Sequence, residues 1–151
     1  MAEAFVRSYE VAWADLDANA HLRNTAYFDY AAQTRFAFFA ENGFPPSAFA
    51  EHRVGPVALE ERIRYFRELS FLDRFNVDLT LAASTDDGAR FEITNTFVNA
   101  DGKACAELTT FAAWFDLDQR RVAPPPAALA AAMERLPRSK SFRRLGDKPD
   151  S

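Results

Sequence analysis

A single long helix, apolar nearly all the way round, sets the terms for this chain. From Thr25 to about Asn42, Tyr27, Tyr30, Ala31, Thr34 and Phe38 recur at helical spacing on one face, while Phe28, Ala32, Phe36 and Phe39 carry the apolar surface round the barrel. Such a helix must be covered on more than one side. Gly43 stops it, and the Phe-Pro-Pro that follows prevents its resuming. The rest of the chain has to supply the cover.

Strands are the candidates. Residues 5–13 read as a first strand of imperfect alternation, and four strand-like runs follow the helix at about 54–67, 73–84, 89–99 and 103–115. In the second of these four, Phe75, Val77, Leu79 and Leu81 alternate with Asn76, Asp78 and Thr80. Asp-Gly pairs at 87–88 and 101–102 mark tight turns, which makes the last three runs an antiparallel meander. A proline-started helix, VAPPPAALAAAMERL, closes the body. The order predicts an α+β fold, a five-stranded antiparallel sheet wrapped around one central helix. At 151 residues the chain is one domain, and 48% hydrophobic content with 14% aromatics rules out a disordered segment.

The charge is unevenly placed. Residues 1–134 hold 20 acids and 12 bases, whereas residues 135–151 hold 2 acids and 6 bases. An acidic body repels nucleic acid, and the basic tail lacks the interleaved aromatics of a single-strand platform. Residues 1–136 are thus expected to form the domain and 137–151 a solvated, frayed tail, with phosphate contact as its functional alternative. No leader-like or membrane-spanning apolar run is evident, so a cytoplasmic protein without membrane attachment is expected. The lone Cys105 reads as a small core residue.

The approach to the helix gathers polar groups: Asp15-Leu16-Asp17-Ala18-Asn19-Ala20-His21-Leu22-Arg23-Asn24-Thr25-Ala26-Tyr27. On residue types alone, Asp15 and Asp17 are better suited to capping the turn than to chemistry. With His52 the only other histidine and no metal-ligand spacing, His21 is not a zinc ligand, and no metal or redox cofactor is expected. Asn24 has the residue type of an N-cap, and Tyr27 has that of a packed aromatic.

In spacing this stretch resembles the hot-dog fold acyl-CoA thioesterases of the 4-hydroxybenzoyl-CoA thioesterase type. Their pattern is an aspartate, often with another two residues earlier, then Gly-His-x-Asn-Asn-x-x-Tyr opening the long helix. Ala20 stands in place of the glycine and Arg23 in place of the first asparagine. The segments IRYFRELSFLDRFNV and DGKACAELTTFAAWFDLDQRRVAPPP are also similar to that family, so the resemblance spans residues 5 to about 130. It implies that Asp17 attacks a thioester carbonyl or activates water, while the backbone N–H at Asn24 polarises the carbonyl oxygen. His21, Arg23 and Tyr27 would border the substrate, an acyl-CoA or an acyl-carrier-protein thioester. The chemistry is consistent with the residues, since hydrolysis needs an oxygen nucleophile or base and a positive pole such as a helix N-terminus. Asp15 keeps a structural reading, and Glu60 or Glu61, in the strand expected to flank the helix, is a further candidate to face the cleft as a catalytic carboxylate.

Other chemistries fit less well. There is no Gly-x-Ser-x-Gly elbow, phosphate loop or dinucleotide fingerprint. A hot-dog hydratase or dehydratase would need Asp-x-Asn-Pro-x-His, whereas here Ala20 replaces the proline and His21 comes one residue early. A non-catalytic acyl-CoA-binding module is the remaining alternative, although Asp17 is present. Open sheet edges and the wide apolar helix predict a homodimer or homotetramer, as does the resemblance. For the phosphates of CoA, the candidate cations are Arg62, Arg64, Arg120, Arg121 and the tail.

Overall fold

In the computed structural model, which describes residues 4–146, the long helix α1 is Asn24–Glu41. It lies against the inner face of a curled sheet built from β1 (Phe5–Glu10), β2 (Val54–Tyr65), β3 (Arg74–Ser84), β4 (Arg90–Asn99) and β5 (Ala104–Asp116). Their spatial order is β1-β3-β4-β5-β2, with every neighbour antiparallel. This is the expected hot-dog arrangement. The alternation read in β3 is the cause of its placement, because Phe75, Val77, Leu79 and Leu81 are the buried residues that face α1. Gly88 and Gly102, at φ +75° and +78°, take up the left-handed backbone of the two hairpin turns.

Four further elements complete the chain. A short helix α2 (Pro46–His52) follows the Phe-Pro-Pro break, and β6 (Arg121–Val122) adds to the end of β5. The closing helix is α3 (Ala127–Glu134). After it comes β7 (Arg138–Arg144), which corrects the expectation of a frayed tail beginning at 137. The reason lies in β3. β1 covers the β3 edge only from Arg74 to Leu79, and β7 pairs in parallel with the part left open, at Leu81, Ala83 and Ser84. Phe142 packs on the core cluster, and the guanidinium groups of Arg138 and Arg144 lie 4.3 and 5.2 Å from its ring centre. Residues 147–151 lie outside the described residues.

The core is in two parts. Phe38, Phe39, Leu79, Phe91, Ile93 and Trp114 form one cluster with α3, and Tyr27, Ala31, Phe75, Val77, Phe97 and Leu108 form the other. Between them runs a polar band of Thr34, Arg35, Asn95 and Thr110. Thr34 Oγ1 donates to the Tyr30 carbonyl at 2.8 Å, which leaves the Tyr9 hydroxyl to donate to Thr34 Oγ1, also at 2.8 Å. Arg35 donates to Asn95 Oδ1 at 3.2 Å, and Asn95 Nδ2 donates to the Asp78 carbonyl at 2.9 Å. Every polar side chain of the band thus has a partner, as burial requires.

Cys105 is fully buried, and burial raises its thiol pKa, so it behaves as a core residue. Trp13 is the opposite case, 74% exposed on a single 3₁₀ turn and edge-on to Phe71 at 5.6 Å. Among the described residues no helix is long and apolar enough to cross a membrane.

Candidate active site

The loop before α1 is folded by its own backbone. The Asp17 N–H donates to the His21 carbonyl at 2.8 Å, and the Ala20 N–H returns to the Asp17 carbonyl at 3.1 Å. Closing so tight a turn puts Ala20 at φ +62°, the left-handed conformation that explains why the family pattern has glycine there. Bridges from Leu16 to Leu22 and from His21 to Ser70 tie the loop to itself and to the segment after β2.

Asp17 spends one oxygen on this turn. Its Oδ1 accepts the N–H groups of Asn19 and His21, at 2.8 and 3.1 Å. Oδ2 accepts no hydrogen bond among the described residues, so a fixed carboxylate retains a free oxygen. Asp15 does different work. Its Oδ1 accepts Arg23 Nη1 at 3.1 Å and its Oδ2 accepts the Tyr30 hydroxyl at 2.7 Å, clamping the loop to the helix.

Arg23 and Asn24 depart from expectation. Arg23 is the N-cap residue, extended at φ −68° and ψ 150°, and Asn24 is the first helical residue with no side-chain cap. The Arg23 guanidinium is held by the Ala14 carbonyl, Asp15 and Thr25 Oγ1, and it does not line the cleft. The reason is that Asp15 supplies its counter-charge, at 3.1 Å. Because Asn24 opens the helix, its N–H is the first of those with no partner inside it.

Asp17, His21, Asn24 and Tyr27 meet along one wall of an open cleft of about 380 Å³. Tyr27 is buried edge-on between Tyr65 and Phe97, with ring centres 5.3 and 5.0 Å away. Burial, with the negative charge of Cys105, Tyr65, Asp17 and Glu68 when ionised, pushes its hydroxyl up to about 12. It therefore stays protonated and able to donate at neutral pH.

Tyr65, Phe66, Arg67 and Glu68 form the facing wall. Arg67 and Glu68 are missing from the sequence-based candidates. The strand read as running to 67 ends at Tyr65, and the Phe66 and Arg67 N–H groups turn onto the Cys105 carbonyl. Arg67 Nη1 also donates to the Ala104 carbonyl at 2.7 Å. The cue was the charged pair itself, at the end of a run whose alternation had already lapsed.

The remaining candidates lie elsewhere. Glu61 pairs with the inward-facing Thr110 and accepts its hydroxyl at 3.1 Å, so Glu61 rather than Glu60 is on the helix side, yet neither lines the cleft. Arg120 and Arg121 follow the end of β5 that pairs with Val54, whereas the cleft is at the Tyr65 end. In β7, Arg143 and Arg144 are engaged by Glu92 and Asp86, at 2.9 and 3.3 Å.

This geometry has relatives among solved structures. A hypothetical protein from Staphylococcus aureus, solved in complex with CoA, superposes with a TM-score of 0.81 at 20% identity over 89% of this chain and 84% of its own. A 1,4-dihydroxy-2-naphthoyl-CoA thioesterase from Synechocystis gives 0.77 at 17% identity, over 87% of this chain and 96% of its own. A gentisyl-coenzyme A thioesterase gives 0.73 at 20%, over 85% and 98%. At such identities the likeness is one of fold. No curated protein sequence matches the chain. A family model described as the thioesterase-like superfamily matches residues 11–133, which takes in the cleft, α1 and four of the five strands of the path, β2 to β5: the chain belongs to the thioesterase-like superfamily.

Proposed function

We propose that the protein hydrolyses acyl-CoA thioesters to a free carboxylic acid and CoA, with Asp17 as nucleophile or general base. The observation that carries this reading is that Asp17, with one carboxylate oxygen free of hydrogen bonds among the described residues, and Asn24, the first residue of α1, line one cleft. The helix N-terminus holds roughly half a positive charge, which favours the oxyanion formed as the carbonyl is attacked. Water supplies the oxygen that ends on the acyl carbon, and the departing thiolate takes up a proton. Tyr27, protonated throughout, and His21 border the reacting group. An acyl-carrier-protein thioester presents the same bond and is the alternative source of substrate. A cytoplasmic setting agrees with the single buried cysteine.

The proposal includes a homodimer. β2 ends the strand order and is paired on one side only, with Leu59 and Tyr65 about half exposed. Pairing two β2 edges antiparallel covers these groups, and doubling the dimer to a tetramer would use a second, different surface. It also brings the Val54 end of one subunit beside the Tyr65 end of the other. The turn bearing Arg120 and Arg121 would then join Arg67 as a source of positive charge for the CoA phosphates.

The decisive variant is Asp17→Asn. An amide preserves an acceptor for Asn19 and His21, so the turn survives, but it neither attacks a carbonyl nor takes a proton from water. A free-thiol release assay is expected to show kcat reduced by roughly 100- to 10,000-fold, with KM much less affected. Asp15→Asn, two residues away in the structural clamp, is expected to keep kcat within about tenfold of wild type. Wild-type turnover in Asp17→Asn would exclude the carboxylate mechanism. A wild-type protein that binds acyl-CoA without hydrolysing it would be a binding module instead.

A further inference from the structure

A second cavity, of about 210 Å³, lies beside the second half of α1 on the inner face of the sheet. Phe36, Phe39, Phe91 and Trp114 make it mainly apolar; the Trp114 indole N–H is buried without a hydrogen-bond partner, and the polar side chains of the lining are Arg35 and Thr110 of the polar band.

Both are incompletely matched inside the protein. Arg35 is buried enough for desolvation to lower its pKa, against the opposing charge of Glu61. A guanidinium has five N–H donors, and among the described residues the only side-chain acceptor for Arg35 is Asn95 Oδ1. Asn95 cannot swing away to release it, because its amide is anchored on the Asp78 carbonyl. Thr110 is constrained in the opposite sense. Its single proton goes to Glu61, so towards the cavity its Oγ1 offers lone pairs alone.

A donor and an acceptor bordering one apolar space complement a group that does both, and the simplest such group is a hydroxyl. A carboxylate would satisfy Arg35 but would meet the Thr110 lone pairs and the Glu61 charge. A plain alkyl end would leave the guanidinium unmatched. The cavity and the cleft border the same two elements, the cleft at Tyr27 and Tyr65, the cavity at Arg35 and Ala58. Arg35 follows Asn24 by eleven residues, about 16 Å along the helix axis, which places the polar points far from the thioester.

We propose that this cavity receives the distal end of the acyl group, and that Arg35 and Thr110 select acyl chains bearing a hydroxyl remote from the thioester. The proposal rests on the thioesterase reading of the Asp17 cleft.

The test compares dodecanoyl-CoA with its ω-hydroxy and ω-carboxy analogues, and measures binding of the three corresponding free acids by calorimetry. The wild type is expected to favour the ω-hydroxy thioester in kcat/KM by roughly 10- to 100-fold and to bind the hydroxy acid most tightly. Arg35→Met keeps the apolar stem, and Thr110→Val keeps the shape; each is expected to collapse that preference towards one, chiefly through KM. Circular dichroism identifies a variant that fails to fold, and the wild-type series stands without it. Equal handling of plain and hydroxylated chains would overturn the proposal, as would preference for the carboxylate. If the wild type hydrolyses none of the thioesters, the cleft reading fails, and the acid-binding series still decides whether the cavity reads a hydroxyl.

Discussion

At the scale of single residues, two positions carry an energetic cost that substitution can remove. Ala20 sits in the left-handed region, where a Cβ crowds the following carbonyl. Ala20→Gly is expected to stabilise the protein by roughly 0.5–1 kcal/mol in urea denaturation, the relieved strain exceeding the greater freedom glycine gains on unfolding. Asp78 is the second. Burial raises its pKa, Glu107 adds to the rise, and the Thr96 N–H at 2.7 Å opposes it. Because the folded-state pKa lies above the unfolded one, the contribution of Asp78 to stability is complete below the ordinary carboxylate range and is lost as pH rises through the raised value. Asp78→Asn, whose amide oxygen still accepts from Thr96, is expected to raise Tm at neutral pH, with the gain fading on acidification. A gain that stayed constant with pH would assign the effect to packing.

Among elements, β7 has the clearest prediction. It lies at the Ser84 end of β3, while the cleft is at the Arg74 end, about 30 Å along the strand. Removing residues 138–151 is therefore expected to cost on the order of 1–2 kcal/mol, mainly from Phe142, and to leave KM for acyl-CoA within about twofold. A several-fold rise in KM would give the basic strand a part in CoA recognition. β7 also marks the limit of what could be read in advance. The meander was legible because Phe75 to Leu81 alternate and Asp-Gly pairs close the turns. RSKSFRR has one apolar residue, and its pairing depends on how short β1 is, a fact about another strand. The same applies to Arg35, whose partner Asn95 lies 60 residues away in another strand. Asp17, His21, Asn24 and Tyr27 were singled out by the resemblance, and because they lie within eleven residues of sequence, the turn and the first helical turn bring them to one wall. Arg67 and Glu68 were not, because their wall exists only after the chain turns off the sheet onto Cys105.

For the whole molecule, assembly and activity are expected to be linked through β2. Leu59 is the bulged residue of that strand and is 48% exposed on the open edge. Leu59→Lys places a charge where a subunit contact would exclude water, and it is expected to raise the dimer dissociation constant by at least about tenfold. Light scattering would show dissociation on dilution, and specific activity would fall with it. A wild-type monomer of full activity would remove the dimer from the mechanism. The molecule also contains its own reporters. The chain has two tryptophans, and the fold gives them opposite surroundings: Trp114 is 1% exposed within an aromatic cluster, while Trp13 stands in water four residues before Asp17. Their emission should separate into a blue component that vanishes on unfolding and a red component open to collisional quenchers. An acyl end entering the cavity that Trp114 lines should change the intensity of the first without the red shift of unfolding, so one spectrum distinguishes occupancy from denaturation without an added label.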